Sequence, residues 1–204
     1  HLCELGVSVV QFDEPVLTEV IFSHHQTRSF MCAALSEKQD FAAELQFAKS
    51  LITQIFEYTR NKNIKTALHV CRGNWSKDES VLLRGPYTSL VDLFESALPD
   101  ILMLEFSTPR AGELNSLLES EILRQKCILG LGVINPRSDE VESVAQIVQR
   151  AEKALNYLPP EQIWLNPDCG FATFSNRPLN GFDIIEAKLK GLNEAKSILR
   201  ERYV

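Results

Sequence analysis

The strongest constraint on the fold of this chain is an alternation. Five short apolar segments rich in β-forming residues, Val7–Phe12, Thr66–Cys71, Ile101–Phe106, Cys127–Ile134 and Ile163–Leu165, are each followed by a longer segment with helical spacing. Strands and helices repeated in this way predict a parallel sheet joined by right-handed crossovers. In such sheets ligands gather beyond the C-terminal ends of the strands, so function is to be sought there.

The helices are read from their apolar stripes. Val141–Leu158 places Val141, Val144, Ile147, Val148, Ala151, Ala154 and Leu155 on one face, with Asp139, Glu140 and Glu142 favouring its N-terminus and Pro159-Pro160 ending it. A second helix is expected over Asp40–Tyr58 with Leu45, Ala48, Ile52 and Ile55 inward, shorter ones over Ser89–Leu98 and Ala111–Arg124, and a last over Asp183–Glu201. No repeat, low-complexity tract or linker divides the chain, and 204 residues with 45% apolar content fit one domain, residues 1–204, with a buried core.

Composition narrows the partners. A net charge of −6 and a pI of about 5.3 argue against nucleic acid, whose binders carry a clustered positive footprint, and favour small molecules. No apolar run approaches the roughly 18–20 residues that span a bilayer, and no secretory signal is visible, so a soluble, cytoplasmic protein without a membrane partner is expected. Cys3, Cys32, Cys71, Cys127 and Cys169 are odd in number and scattered, which suits thiols or metal ligands in a reducing compartment better than disulfides. The chain opens on His-Leu-Cys with a strand almost at once, and further sequence is expected upstream.

The unusual polar groups all fall at strand ends: Asp13-Glu14-Pro15, His69-Val70-Cys71-Arg72, Glu105, Asn135-Pro136-Arg137 and Asn166-Pro167-Asp168-Cys169-Gly170. Residues i and i+2 of a strand face the same way, so His69 and Cys71 present an imidazole and a thiol to one point. By itself this pair is better explained by core packing. Glu105 ends an otherwise apolar strand and needs a partner, a metal or solvent. Cys169 lies in a turn bracketed by Pro167 and Gly170. Together the four offer a nitrogen, two sulfurs and a carboxylate oxygen, a set suited to tetrahedral Zn²⁺ with one weak, exchangeable ligand.

His69-Val-Cys71-Arg-Gly-Asn, Leu104-Glu105-Phe106 and Asn166-Pro-Asp-Cys169-Gly, preceded by Asp13-Glu14-Pro15, resemble the catalytic barrel of cobalamin-independent methionine synthases from about residue 7 onward. The resemblance implies an α/β fold, a (β/α)8 TIM barrel, of which this chain supplies about the last five β/α units. It implies a zinc cofactor held by His69, Cys71, Glu105 and Cys169 that binds the thiol of homocysteine. It implies that Asp13 holds the substrate's amino group and that Glu19 lies near a folate donor. The implied activity is that of a zinc-dependent thiol S-methyltransferase, like 5-methyltetrahydropteroyltriglutamate–homocysteine methyltransferases, with homocysteine and a methyl donor as partners. A homo-oligomer is compatible with it.

The pattern is departed from at Arg137, which stands where the family has a proton-donating histidine, so the catalytic proton donor is unassigned. Arg137 and Arg72 are expected at the rim, either as surface arginines, the more common case, or as a guanidinium clamp for a carboxylate, phosphate or sulfonate. The methyl donor is open between a folate, a methylcorrinoid and another alkyl electrophile. Two other readings stand beside the first: zinc-dependent epoxide opening on coenzyme M, favoured by a basic clamp, and an inactive barrel fragment with an exposed sheet edge. His24-His25 are expected in solvent, and Asp13 or Glu14 can also be read as capping the next segment. The runner-up fold is a flavodoxin-type sheet, but Gly130-Leu-Gly132 lacks the third glycine and the immediate helix of a nucleotide loop.

Overall fold

The structure, a computed structural model, describes residues 2–22 and 40–204. Its sheet contains β1 (Val9–Glu14), β2 (Lys65–Val70), β3 (Ile101–Glu105), β4 (Ile128–Ile134) and β5 (Ile163–Pro167), all parallel and paired in sequence order. A flavodoxin-type sheet reverses its order at a switch point. This one steps in a single direction, so right-handed crossovers place every helix on one face and leave the other as the inner wall of a partial barrel.

Registration separates the two faces. Phe12, Leu68, Leu102 and Leu129 are in register, as are Val70, Leu104 and Leu131 further along, and these rows join the core with Ile52, Phe56, Phe94 and Ile147 from the helices. Phe12 and Phe56 meet edge to face at 5.3 Å between ring centroids. On the alternate positions, Asp13, His69, Met103 and Gly130 are in register. A Cβ on Gly130 would lie 2.2 Å from Met103 Sδ, and one on Gly132 would lie 2.4 Å from Asp168 Oδ1. The Gly-x-Gly of β4 thus makes room for neighbouring side chains.

The helices are α1 (Leu17–Phe22), α2 (Phe41–Arg60), α3 (Val91–Ala97), α4 (Asn115–Leu118), α5 (Glu121–Lys126), α6 (Val144–Leu155) and α7 (Phe182–Tyr203). Asp40 caps α2 by accepting from Ala43 N–H. Ser143 caps α6 through a reciprocal box with Gln146, so that helix starts after Val141, which is 46% exposed instead of inward. The single helix expected over Ala111–Arg124 is two, because Ser120 accepts from Leu123 N–H and starts a new one. Ile55 was expected inward but is 43% exposed, and Phe56 takes the core position. The sequence gives no sign of the short α1; Glu14 Oε1 accepts from Val16 N–H in the turn just before it. Among the described residues no helix is long and apolar enough to cross a membrane.

Candidate metal centre

Strand β2 delivers two groups to one point, with His69 one residue before its end and Cys71 just past it. His69 Nδ1 lies 2.9 Å from the Met103 carbonyl oxygen. A carbonyl can only accept, which puts a proton on Nδ1 and, in the neutral imidazole that a metal would bind, leaves a lone pair on Nε2. That Nε2 is buried without a hydrogen-bond partner. The loop after β5 brings Cys169 Sγ to 3.8 Å from Cys71 Sγ. One ligand atom from each of His69, Cys71 and Cys169 lies within 4.8 Å of the others.

Glu105, at the end of β3, is 1% exposed. Its Oε1 is 3.8 Å from Cys71 Sγ and its Oε2 accepts from Arg110 Nη2 at 3.1 Å. The carboxylate therefore stands beside the nitrogen–sulfur trio, held by a cation. Burial pushes its pKa up, against the opposing pull of Arg110 and Arg137. Without a metal, burial works against His69 protonation, but the adjacent Cys71 sulfur, the Met103 carbonyl and Glu105 prevail and raise its pKa to about 9. The hydrogen bond to Cys169 and burial push the Cys71 thiol up, while the same bond lowers Cys169.

These donors fit a zinc ion. Two sulfurs on a tetrahedral ion with bonds of about 2.3 Å lie roughly 3.8 Å apart, and Cys71 and Cys169 stand 3.8 Å apart. The orphaned Nε2 supplies a third donor whose ring is fixed through Nδ1, a common feature of metal-binding histidines. Gly73 N–H donates to Cys71 Sγ at 3.2 Å, a bond that favours a thiolate there. Gly73 has φ +101°, and a Cβ would collide with the Trp75 ring at 2.1 Å, so only glycine presents this N–H.

The arginines occupy other places than the rim. Arg72 is fully buried, donating to the carbonyls of Gly85 and Ala111 and stacked 3.6 Å from the Tyr87 ring centroid. Arg137 is 1% exposed and ion-paired inside the protein. Both are buried, which departs from the expectation of a clamp open at the rim: Arg137 is held by internal acceptors, and Arg72 donates through Nε and Nη2 while its buried Nη1 has no partner. Asp13 lies on the inner face in register with His69, where its Oδ1 accepts from Gln11 Nε2. Glu19 is buried on α1 with Oε2 unpartnered, its pKa raised by burial. His24, His25 and Cys32 lie outside the described residues.

Sequence reasoning did not single out Asp168, Arg110, Ser107 or Tyr87, which support the site. Asp168 lay inside the quoted Asn-Pro-Asp-Cys motif, where its place beside a ligand cysteine was the available signal. Arg110 and Tyr87 sit in turns without pattern.

The family model described as "Cobalamin-independent synthase, Catalytic domain" matches residues 1–179. The chain belongs to this family. The methionine synthase of Sulfolobus acidocaldarius is 31% identical over 170 residues, covering 83% of this chain and 38% of that protein. The methionine synthase of Saccharolobus solfataricus is 25% identical over 201 residues, 98% of this chain and 47% of that one. This member of the cobalamin-independent synthase family thus spans less than half of those relatives. A B12-independent methionine synthase from Shewanella, solved with selenomethionine, shares the fold at a TM-score of 0.67 and 18% identity, covering 98% of this chain and 51% of that one.

Proposed function

We propose that this chain is the thiol-activating part of a zinc-dependent S-methyltransferase whose acceptor is homocysteine. The supporting observation is the convergence of His69, Cys71 and Cys169 with an unpartnered, buried Nε2 among them. His69, Cys71 and Cys169 would hold the ion, with Glu105 as a weak fourth ligand. When bound there, zinc lets a coordinated thiol ionise well below its ordinary value of about 8.5, which yields a nucleophile at neutral pH.

The chain's own residues do the rest. Met103 carbonyl orients the imidazole, and Gly73 N–H stabilises charge on Cys71. Asp13, next to His69 on the same face, accepts the ammonium group of an amino-acid thiol and points its sulfur toward the trio. The methyl group then passes from its donor to the sulfur, whose electron pair forms the new bond while the donor keeps the pair of the broken one.

A coenzyme M acceptor needs a cation for its sulfonate. Arg72 and Arg137 are buried and engaged, which favours the ammonium-bearing thiol. The test is titration of the cobalt-substituted chain with homocysteine and with coenzyme M, followed by the thiolate-to-cobalt absorption. A charged hydrogen bond contributes about 1.5–3 kcal/mol, so homocysteine should bind roughly 10- to 150-fold tighter, and Asp13→Asn should erase the preference. Equal or reversed affinities would refute the assignment.

A further inference from the structure

Strand β4 contributes no candidate ligand, yet the residue three positions beyond its end touches every segment that does. Arg137 Nη2 donates to Asp168 Oδ2 at 2.9 Å, and Asp168 directly precedes Cys169. Arg137 Nη1 lies 3.7 Å from Glu105 Oε1 and 3.5 Å from Asn74 Oδ1, and Arg137 Nε donates to Glu79 Oε1 at 3.3 Å. Asn74 and Glu79 belong to the connection after β2, which carries His69 and Cys71. Asn74 Nδ2 in turn donates to the Gly170 carbonyl at 2.6 Å, next to Cys169 on its other side.

Asp168 joins the same frame to β3. Its Oδ1 accepts from the N–H groups of Phe106 and Ser107 at 3.1 and 2.9 Å, and its Oδ2 from Ser107 Oγ at 2.5 Å. Phe106 and Ser107 follow Glu105 in sequence. One planar guanidinium thus meets acceptors from the ends of β2, β3 and β5 at once. A lysine has the charge but not the fork.

We propose that Arg137 is a positioning residue that holds Glu105 and the Cys169 segment in register with His69 and Cys71, so that the four donors converge on one ion. The proposal rests on the metal reading above. It assigns the arginine to site geometry, with no contact to substrate.

The test compares the wild-type chain, Arg137→Lys and Glu79→Gln for zinc affinity by chelator competition and for the visible spectrum of the cobalt-substituted protein. Losing an outer partner of a metal ligand typically costs roughly 10- to 100-fold in affinity. Arg137→Lys should fall in that range and shift the cobalt bands away from the four-coordinate pattern; Glu79→Gln should move both in the same direction by less. A scaffold role alone would lower the melting temperature and leave the cobalt spectrum unchanged. Wild-type affinity and spectrum in Arg137→Lys would overturn the proposal. If that variant does not fold, an unaltered affinity and spectrum in Glu79→Gln would do so. A wild type that binds no zinc would refute the metal reading itself, and the proposal with it; wild-type binding with unaffected variants would refute only the role of Arg137.

Discussion

Glu19 shows what a buried carboxyl without a full set of partners does to stability. Its ordinary pKa is 4.5, and burial raises it in the folded chain. Below about 4.5 it is protonated in both states and costs nothing. As the pH rises past that value the unfolded chain ionises first, so stability is lost until the folded carboxyl ionises too. Glu19→Gln should therefore raise the stability by on the order of 1 kcal/mol at pH 7 and by little at pH 4. Equal effects at both pH values, by urea melts, would contradict this. The residue scale is also where the sequence spoke most clearly. Strand periodicity and a proline–glycine turn made it legible where His69, Cys71 and Cys169 point, and the family resemblance of the ordered motifs made them legible as a set. The fates of Arg72 and Arg137 were not legible, since an arginine at a strand end looks the same whether it faces solvent or forks between buried acceptors.

Among the elements, α6 and α7 show how far a helix's own sequence carries. The start of α6 is set locally by Ser143 and Gln146, but its connection to β4 is held from afar. Lys188 of α7 is fully buried and donates to the carbonyls of Asn135 and Glu140 and to Glu142 Oε2 at 2.9 Å. Lys188→Ala strands three acceptors, the Glu142 carboxylate among them, and should cost about 3–5 kcal/mol, whereas Ser143→Ala should cost about 1 kcal/mol. Comparable losses in chemical denaturation would mean that the tie is not a buried ion pair in solution. The long amphipathic helices were readable because one stripe of apolar residues defines each of them. The break between α4 and α5 and the inward turn of Phe56 in place of Ile55 were not, because a serine cap and a ring-on-ring contact with Phe12 decide them after folding.

At the scale of the molecule, the outer edges of β1 and β5 carry no paired strand among the described residues, and each is flanked by apolar surface. Near β1, α2 exposes Phe47, Leu51, Ile55 and Tyr58 at helical spacing. Beside β5, a groove of about 730 Å³ is lined by Ile163, Leu165, Leu189, Leu192 and Leu199 among others. Apolar patches of this kind are normally covered. The 23.1 kDa chain is therefore expected to sediment as an associated species, and Leu51→Lys with Ile55→Lys to reduce that association. A monomer that binds no hydrophobic dye would contradict it. The alternation of strands and helices made the parallel sheet legible. Sequential order without reversal, which separates a partial barrel from an open doubly wound sheet, depends on long-range pairing that periodicity does not encode.

The most direct test of the account is zinc per chain, measured by elemental analysis on the reduced, metal-supplemented wild type and on Cys71→Ala and Cys169→Ala. The account predicts about one zinc in the wild type and its loss in both folded variants, because the two sulfurs 3.8 Å apart share one ion. A folded wild type with no zinc, or variants that keep a full equivalent, would contradict it.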